Sequence, residues 1–221
     1  MIFSTNKPIA IIDSGIGGVS VLKKLIQKFG TGNYIYYADN LYMPYGNKNK
    51  TFISNRIDFL INLLKSKYNA DTIIIACNTA STCIDVSKYN NVLTMQFNKN
   101  LTYYATNLTK QNLIDLDVVA DGNLPTLIEK YIFNIPALER VVKQHIKQHK
   151  LYKYKEIILG CTHYELVLDI FKKYAKNTNF INNSHFVASL INKPNSNQLN
   201  VHLITSKTSK SFKEKFYKLL N

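Results

Sequence analysis

Two of the three cysteines stand in the same local pattern. Cys77 lies within the run IIIACNT and Cys161 within the run IILGCTH. In both cases an apolar run predicts a buried strand, and polar residues follow where a helix is expected to begin. Open α/β sheets bind ligands at the carboxyl ends of their strands, so both thiols are expected at a ligand cleft.

A pair of thiols on opposite faces of a carbon atom suits racemisation. Inverting an α-carbon removes a proton from one face and returns a proton to the other, which two fixed acid/base groups can do by exchanging roles. The unperturbed pKa of a thiol, about 8.5, allows both roles near neutral pH, and a helix start behind the sulfur favours the thiolate. One such cysteine alone is as often a packing residue. The matched setting of two favours chemistry.

Cys83 differs from the other two cysteines. We interpret it as a small buried residue at a helix start, without polar neighbours. The three cysteines show no metal-finger spacing, so no metal site is predicted, and an odd number of thiols fits a reducing compartment.

Two polar residues stand near the candidate thiols. Asp13 ends the first apolar run, and His163 lies two residues after Cys161. Each has a structural alternative, since Asp13 could cap a helix beginning near Gly17 and His163 could be a hydrogen-bonded core histidine. The glycine-rich run at 15–18 lacks both the dinucleotide fingerprint and the P-loop sequence, so it does not favour nucleotide binding.

The elements that must position these residues alternate along the chain. Short apolar runs predict strands at 8–12, 34–38, 72–76, 101–105, 156–160 and 201–204. Amphipathic patterns predict helices through Val21 to Ile26 and at 51–68, 124–133, 136–149, 164–175 and in the tail around Phe212 and Phe216. This alternation predicts doubly wound, mostly parallel α/β sheets. Between Val187 and Asn200 we expect a loop in the second part.

The repeated strand–cysteine pattern indicates two half-chains that face each other. We therefore predict an α/β protein with two doubly wound parallel-sheet domains, related by pseudo-two-fold symmetry, with the active site in the cleft between them. The first domain is expected to comprise residues 1–93 plus about 186–221. A second, shortened domain is expected at about 94–185.

The net charge of +14 is the most unusual property of the composition. Nucleic acid is nevertheless not expected as a partner, because only Arg56 and Arg140 among the 28 basic residues are arginine, the preferred residue for phosphate and base contacts. The Lys-rich stretch 207–218 is the local exception. No apolar run approaches the roughly 20 residues of a membrane span, and the N-terminal segment is too short and polar for a secretory signal. We expect a soluble, cytoplasmic protein.

Four sequence blocks resemble the cofactor-independent glutamate racemases of the aspartate/glutamate racemase superfamily. They are IDSGIGG at 12–18, PYGNK at 44–48, ACNTAS at 76–81 and GCTHY at 160–164, in the family's order. The resemblance implies two α/β domains, glutamate as substrate, no pyridoxal phosphate or other cofactor, no metal, and often a homodimer. It also implies the supply of D-glutamate for peptidoglycan, and hence a role in cell wall biogenesis and cell shape.

By matching position, the resemblance implies that Cys77 and Cys161 are the two proton donors and acceptors. Asp13 would assist Cys77, and His163 would assist Cys161. The residues implied to surround the substrate are Asp13, Ser14, Tyr45, Gly46, Asn78, Thr79, Thr106, Thr109, Thr162 and His163. Glu129 resembles another family acid near the site, and its role is left open.

The chain departs from the family pattern in the middle. Residues 92–121 are compressed, a cysteine–proline pair is absent near Asp121, and Glu165 stands where proline is commonest. Two other functions stay open at this point. The first is racemisation of aspartate or another acidic amino acid, and the second is a non-catalytic basic binding protein with the same fold.

Overall fold

The computed structural model describes residues 7–192 and 196–221. Within this part of the chain the strands are β1 (Ile9–Asp13), β2 (Gly32–Ala38), β3 (Thr72–Ile75), β4 (Val92–Thr94), β5 (Thr102–Ala105), β6 (Asp117–Ala120), β7 (Glu156–Gly160), β8 (Asn179–Asn182) and β9 (Leu199–Thr205). The helices are α1 (Val19–Phe29), α2 (Lys50–Tyr68), α3 (Asn78–Ser81), α4 (Asn107–Asn112), α5 (Leu124–Tyr131), α6 (Ile135–Gln148), α7 (Thr162–Glu165), α8 (Leu168–Tyr174), α9 (Ser184–Ser189) and α10 (Lys210–Leu220).

The strands form two parallel sheets with the same internal order. The first sheet runs β4-β3-β1-β2-β9 and the second runs β8-β7-β5-β6. The order β4-β3-β1-β2 in the first half of the chain is therefore repeated as β8-β7-β5-β6 in the second, with β9 added beside β2. All neighbouring strands are parallel. The predicted fold class, α/β with two parallel-sheet domains, is confirmed.

Helices cover both faces of the first sheet because its central strands are buried on both sides. Every residue of β1 is buried, as expected for a strand in the middle of a parallel sheet. One face packs against α1, α9 and α10, and the other against α2, whose buried residues recur at helical spacing. The second sheet packs mainly against α5, α6 and α8.

The C-terminal segment returns to the first sheet. Strand β9 pairs with β2 along its whole length, and Phe212 and Phe216 of α10 are buried in the same cluster as β1 and α1. The proposed domain limits, 1–93 with 186–221 and 94–185, stay a prediction. Residues 1–6 and 193–195, which carry parts of the N-terminal and loop predictions, lie outside the described residues.

Two local predictions are wrong. The helix expected at 164–175 is divided into α7 and α8, because Val167 leaves the helical conformation (φ −122°, ψ 22°) while its side chain stays buried with Tyr164 and Phe171. Cys83 follows α3 in a turn and does have a polar neighbour, since the side-chain amide of Asn112 donates to its sulfur at 3.3 Å.

Candidate active site

The carboxyl ends of the two sheets face one another across a closed cavity. The cavity has a volume of about 20 Å³, which is room for about one water molecule. Its lining includes ten of the residues predicted for the site or next to it: Ser14, Tyr45, Gly46, Cys77, Asn78, Thr79, Thr106, Cys161, Thr162 and His163. Pro44, Gly122 and Pro125 complete the wall.

Cys77 lies between the end of β3 and the start of α3. Its thiol donates to the Ser14 hydroxyl at 3.8 Å. Burial raises the pKa of Cys77 strongly, and the nearby negative charge of Asp13 raises it further, against the lowering effect of the Ala80 backbone N–H and the Ser14 hydroxyl. Cys77 is therefore a neutral thiol near neutral pH, the form that can deliver a proton.

Cys161 stands opposite, between the end of β7 and the start of α7. Its Sγ lies 4.0 Å from Nδ1 of His163, and the other ring nitrogen, Nε2, lies 2.7 Å from Oε2 of Glu129. Burial lowers the pKa of His163, but hydrogen bonds to Cys161 and Glu129 outweigh it and hold the pKa well above its usual value. The Cys161 sulfur therefore lies beside an imidazole that is held in its protonated form.

Asp13 is fully buried at the end of β1. Its Oδ1 accepts the Gly15 backbone N–H at 2.9 Å, and its Oδ2 accepts the Thr162 hydroxyl from the opposite sheet at 3.1 Å. Burial has the largest effect and raises the pKa of Asp13 above its usual value. The positive charge of His163 and these two donors lower the pKa, but by less. The N-cap residue of α1 is Gly18, and its backbone N–H also donates to the Asp13 carboxylate, so Asp13 supports the start of that helix as well.

Tyr45 is held in the wall by two residues that the sequence did not single out. Its hydroxyl donates to Asp39 Oδ2 at 2.5 Å. The Arg56 guanidinium binds both oxygens of Asp39, at 2.7 and 2.9 Å. No short-range spacing links these three positions, which is why sequence patterns missed Asp39 and Arg56.

Three threonines join the two sheets at one end of the cavity. The Thr79 hydroxyl lies 2.9 Å from that of Thr106 and 3.2 Å from that of Thr109, which are themselves 2.9 Å apart. Thr106 also caps α4 by accepting the Thr109 backbone N–H. Thr109 does not line the cavity itself but contacts both threonines that do.

The glycine-rich run allows the two sheets to approach closely. A Cβ atom on Gly17 would lie 2.4 Å from the Thr162 hydroxyl and 2.7 Å from the His163 backbone nitrogen. A Cβ atom on Gly15 would lie 2.6 Å from Glu129 Oε2. Gly15 and Gly17 are explained by this contact across the cleft, whereas a Cβ atom on Gly18 would meet Asp13 and Tyr36 of the first sheet.

Asn78 faces a polar network behind the cavity. Its Oδ1 accepts from Nδ2 of Asn183 at 2.6 Å, and its own Nδ2 has no partner within the part of the chain that the structure describes. An unsatisfied buried amide is costly and is available to a ligand that fills the cavity. Asn183 was not predicted from the sequence.

Among the described residues, no helix combines the length and apolar character that a bilayer span requires. No protein-family model matches the chain. A solved structure with the same fold is that of glutamate racemase from Francisella tularensis subsp. tularensis in complex with D-glutamate, with a TM-score of 0.75 at 21% identity, covering 97% of this chain and 94% of that one.

The fold and its relatives define an amino-acid racemase, a class of isomerase. Glutamate racemase 2 of Caldanaerobacter subterraneus subsp. tengcongensis is 32% identical over 191 residues, covering 76% of this chain and 72% of that protein. Glutamate racemase of Halothermothrix orenii is 32% identical over 198 residues, covering 75% of each. The chain therefore belongs to the glutamate racemase family, as its four sequence blocks predicted.

Proposed function

We propose that the protein interconverts L- and D-glutamate through Cys77 and Cys161, without a cofactor in the reaction. The observation that carries the proposal is the unequal environment of the two sulfurs in one cavity. Cys77 is a buried thiol whose pKa is raised, and Cys161 adjoins a histidine whose pKa is also raised. In the proposal, Cys77 acts as the acid and Cys161 as the base for one direction of the reaction.

In this mechanism the thiolate of Cys161 takes the α-proton from one face of the substrate. The electron pair of the broken C–H bond passes to the α-carbon and its carboxylate, and Cys77 returns a proton to the other face. The reverse reaction exchanges the two roles. His163 stabilises charge on Cys161, and Asp13 disfavours negative charge on Cys77, which keeps that thiol protonated until substrate binds.

Glutamate is the proposed substrate for two reasons. The family relatives are named glutamate racemases, and the Francisella protein of the same fold was solved with D-glutamate. Backbone N–H groups and hydroxyls at the starts of α3, α4 and α7 offer donors for carboxylates. The substrate-binding residues proposed are Asp13, Ser14, Tyr45, Gly46, Asn78, Thr79, Thr106, Thr109, Thr162 and His163. Supply of D-glutamate for peptidoglycan in the cytoplasm, and a homodimeric state, complete the proposal.

Deuterium exchange tests the proposal directly. The protein, incubated with L-glutamate in D2O without added cofactor, is expected to place deuterium on the α-carbon and to form D-glutamate. Cys77→Ser and Cys161→Ser should each lower the racemisation rate by at least about 100-fold, because serine is a far weaker acid and base at these positions. Cys83→Ser is the matched control and should keep the rate.

The outcomes separate the competing functions. Exchange on aspartate but not on glutamate would replace the substrate and keep the mechanism. Absence of exchange on both amino acids would rule out the activity. An equal loss in all three serine variants would mean that the cysteines act through packing.

A further inference from the structure

A second polar cluster lies outside the cavity, at the end of β6 and the last turn of α6. It consists of Asp121, His145 and His149, and one ligating atom from each lies within 4.8 Å of the others. The two histidines are four residues apart, so their rings lie on the same face of the helix. Asp121 reaches them from a strand end 24 residues earlier in the chain than His145.

The three side chains converge on one point. Oδ2 of Asp121 is hydrogen-bonded to Nδ1 of His145 and lies 3.0 Å from Nε2 of His149. Tetrahedral zinc, with bonds of about 2.0–2.1 Å to nitrogen and oxygen, holds its ligand atoms roughly 3.3 Å apart. The distance between Asp121 and His149 is close to this value, and small rotations of the side chains would be needed to bring all three ligand atoms to it.

Hydrogen bonds from neighbouring groups hold the Asp121 carboxylate in one orientation, as they hold the ligands of known metal sites. Oδ1 of Asp121 accepts the backbone N–H groups of Asn123 and Leu124 at 2.8 and 3.0 Å, and the Tyr104 hydroxyl donates to Oδ2 at 2.8 Å. Such hydrogen-bond partners orient the residues that bind the ion, and they recur in known metal sites.

An open cavity gives access to the cluster from solvent. It has a volume of about 550 Å³ and is lined by all three residues, with Gln144, Gln148 and Gly122 among its other walls. A bound ion could therefore enter and keep a water molecule as a fourth ligand. Gly122 also lines the candidate active site, so the two cavities share one wall.

We propose that Asp121, His145 and His149 form a binding site for a divalent transition-metal ion of the zinc type, separate from the racemisation site. Two imidazoles with one carboxylate suit zinc and its neighbours, whereas calcium and magnesium prefer all-oxygen ligands. The ion would tie the end of β6 to α6 and so stabilise the wall shared with the active site. The site is independent of the proposed glutamate chemistry.

Zinc titration of the full chain, purified without a histidine tag and stripped with a chelator, tests the site. Calorimetry with Zn²⁺ alone should show one saturable ion that His149→Gln and His145→Gln lose. Unfolding followed by circular dichroism should show a Tm higher by roughly 5–10 °C when free zinc is 100-fold above its Kd. The matched controls are His185→Gln and His202→Gln, exposed histidines elsewhere, which should bind as the unaltered chain does.

Cobalt distinguishes this site from the active-site cysteines, which are also potential zinc ligands. Co²⁺ on Asp121, His145 and His149 should give a visible spectrum without the intense band of thiolate coordination. The proposal is overturned if no saturable ion binds, if a thiolate band accompanies binding, or if His149→Gln binds as tightly as the unaltered chain. The cobalt spectrum of the unaltered chain and the His149→Gln titration decide the matter even if His145→Gln does not fold.

Discussion

Glu129 accepts hydrogen bonds from both sides of the cleft at a single oxygen atom. Oε2 lies 2.7 Å from His163 Nε2 and 3.3 Å from the backbone nitrogen of Ile16. The carboxylate thus does two things, because it holds a proton on His163 and ties the glycine-rich loop of the first sheet to α7 of the second. We assign Glu129 a positioning role, acting through His163 on Cys161.

Glu129→Gln should lower the rate and move its pH dependence. The hydrogen bond and negative charge of Glu129 raise the pKa of His163, so removing the charge lowers that pKa and His163 loses its proton at a lower pH. We expect kcat/KM for glutamate to fall roughly 10-fold at neutral pH, with its basic limb shifted to lower pH. Rates measured across the pH range test this.

Glu139→Gln provides the control for a lost carboxylate. Glu139 pairs with Lys173 at the surface, away from the cleft, and its loss should leave the pH profile unchanged. If Glu129→Gln lowers the rate but keeps the basic limb in place, Glu129 acts through packing instead of through the charge of His163.

Site residues that directly follow a strand could be predicted from the sequence better than residues that contact the site from other parts of the chain. Cys77 and Cys161 could be found because each carries its setting in the adjacent residues, an apolar run before and polar residues after. Asp39 and Arg56 could not, because they act on the cavity only by holding Tyr45 from separate elements. The cluster of Asp121 with His145 and His149 also arises only when β6 packs beside α6.

Helix α7 buries the carboxyl group of Glu165. Glu165 accepts the Ser184 backbone N–H at Oε1, at 2.8 Å, and its Oε2 has no hydrogen-bond partner in the region that the structure describes. Burial raises the pKa of Glu165 to about 7, although the hydroxyls of Ser184 and Ser20 lie nearby and lower the pKa in part.

This shift makes stability fall as pH rises. A carboxyl whose pKa is higher in the folded state binds its proton more tightly when folded, so its contribution is full below its unfolded pKa of about 4.3 and is lost as pH rises to about 7. Glu165→Gln should remove this loss, because an amide stays neutral and can also donate to a serine hydroxyl. Above pH 7 we expect the variant to be more stable by roughly 1–3 kcal/mol.

Urea unfolding at pH 5 and pH 8 measures the effect. Glu214→Gln on the exposed face of α10 is the control and should change stability by no more than about 0.5 kcal/mol at either pH. A Glu165→Gln variant that loses stability equally at both pH values would show that the carboxylate is ionised and paired in the folded state.

Strands and helices with one strong hydrophobic pattern could be predicted from the sequence, but the points at which a helix is interrupted could not. The strand Glu156–Gly160 agrees with its apolar run residue for residue, since buried parallel strands need continuous hydrophobic sequence. The division between α7 and α8 has no glycine or proline to mark it. It depends on burying Val167 against the rest of the second core, a tertiary contact that local sequence does not encode.

At the scale of the whole molecule, the two halves of the chain repeat one strand order, and at the C-terminal end β9 joins the first sheet while α10 packs against it. The repeat brings a cysteine from each half to one cavity, and the return of β9 and α10 closes the first sheet. Two lysines help to hold the returning segment, since Lys23 donates to the Leu219 carbonyl at 2.8 Å and Lys215 donates to the Glu129 carbonyl at 2.9 Å. Arg56, one of only two arginines, is committed to Asp39, so the large positive charge offers few groups suited to nucleic-acid contacts.

Phe216 connects α10 to the loop at 13–18 through Tyr36. It is fully buried, with its ring 4.9 Å from that of Tyr36, whose hydroxyl donates to the Gly15 carbonyl at 2.9 Å. Phe216→Ala should therefore lower the free energy of unfolding by about 3–5 kcal/mol, the usual cost of deleting a buried aromatic ring. It should also raise KM, because Tyr36 loses the support that positions the loop at 13–18. Urea unfolding and steady-state kinetics measure the two effects.

Tyr217→Ala separates this contact from a general weakening of α10. Tyr217 is 45% exposed and adjoins Phe216 on the same helix, so its loss should cost less than about 1 kcal/mol and leave KM unchanged. If the two variants lose equal stability, the buried Phe216 ring contributes no more to folding than the exposed Tyr217 ring does. If Phe216→Ala loses stability while KM stays constant, the C-terminal segment supports the first sheet without positioning the loop. Residues 186–221 would then contribute to the stability of the first domain and not to substrate binding.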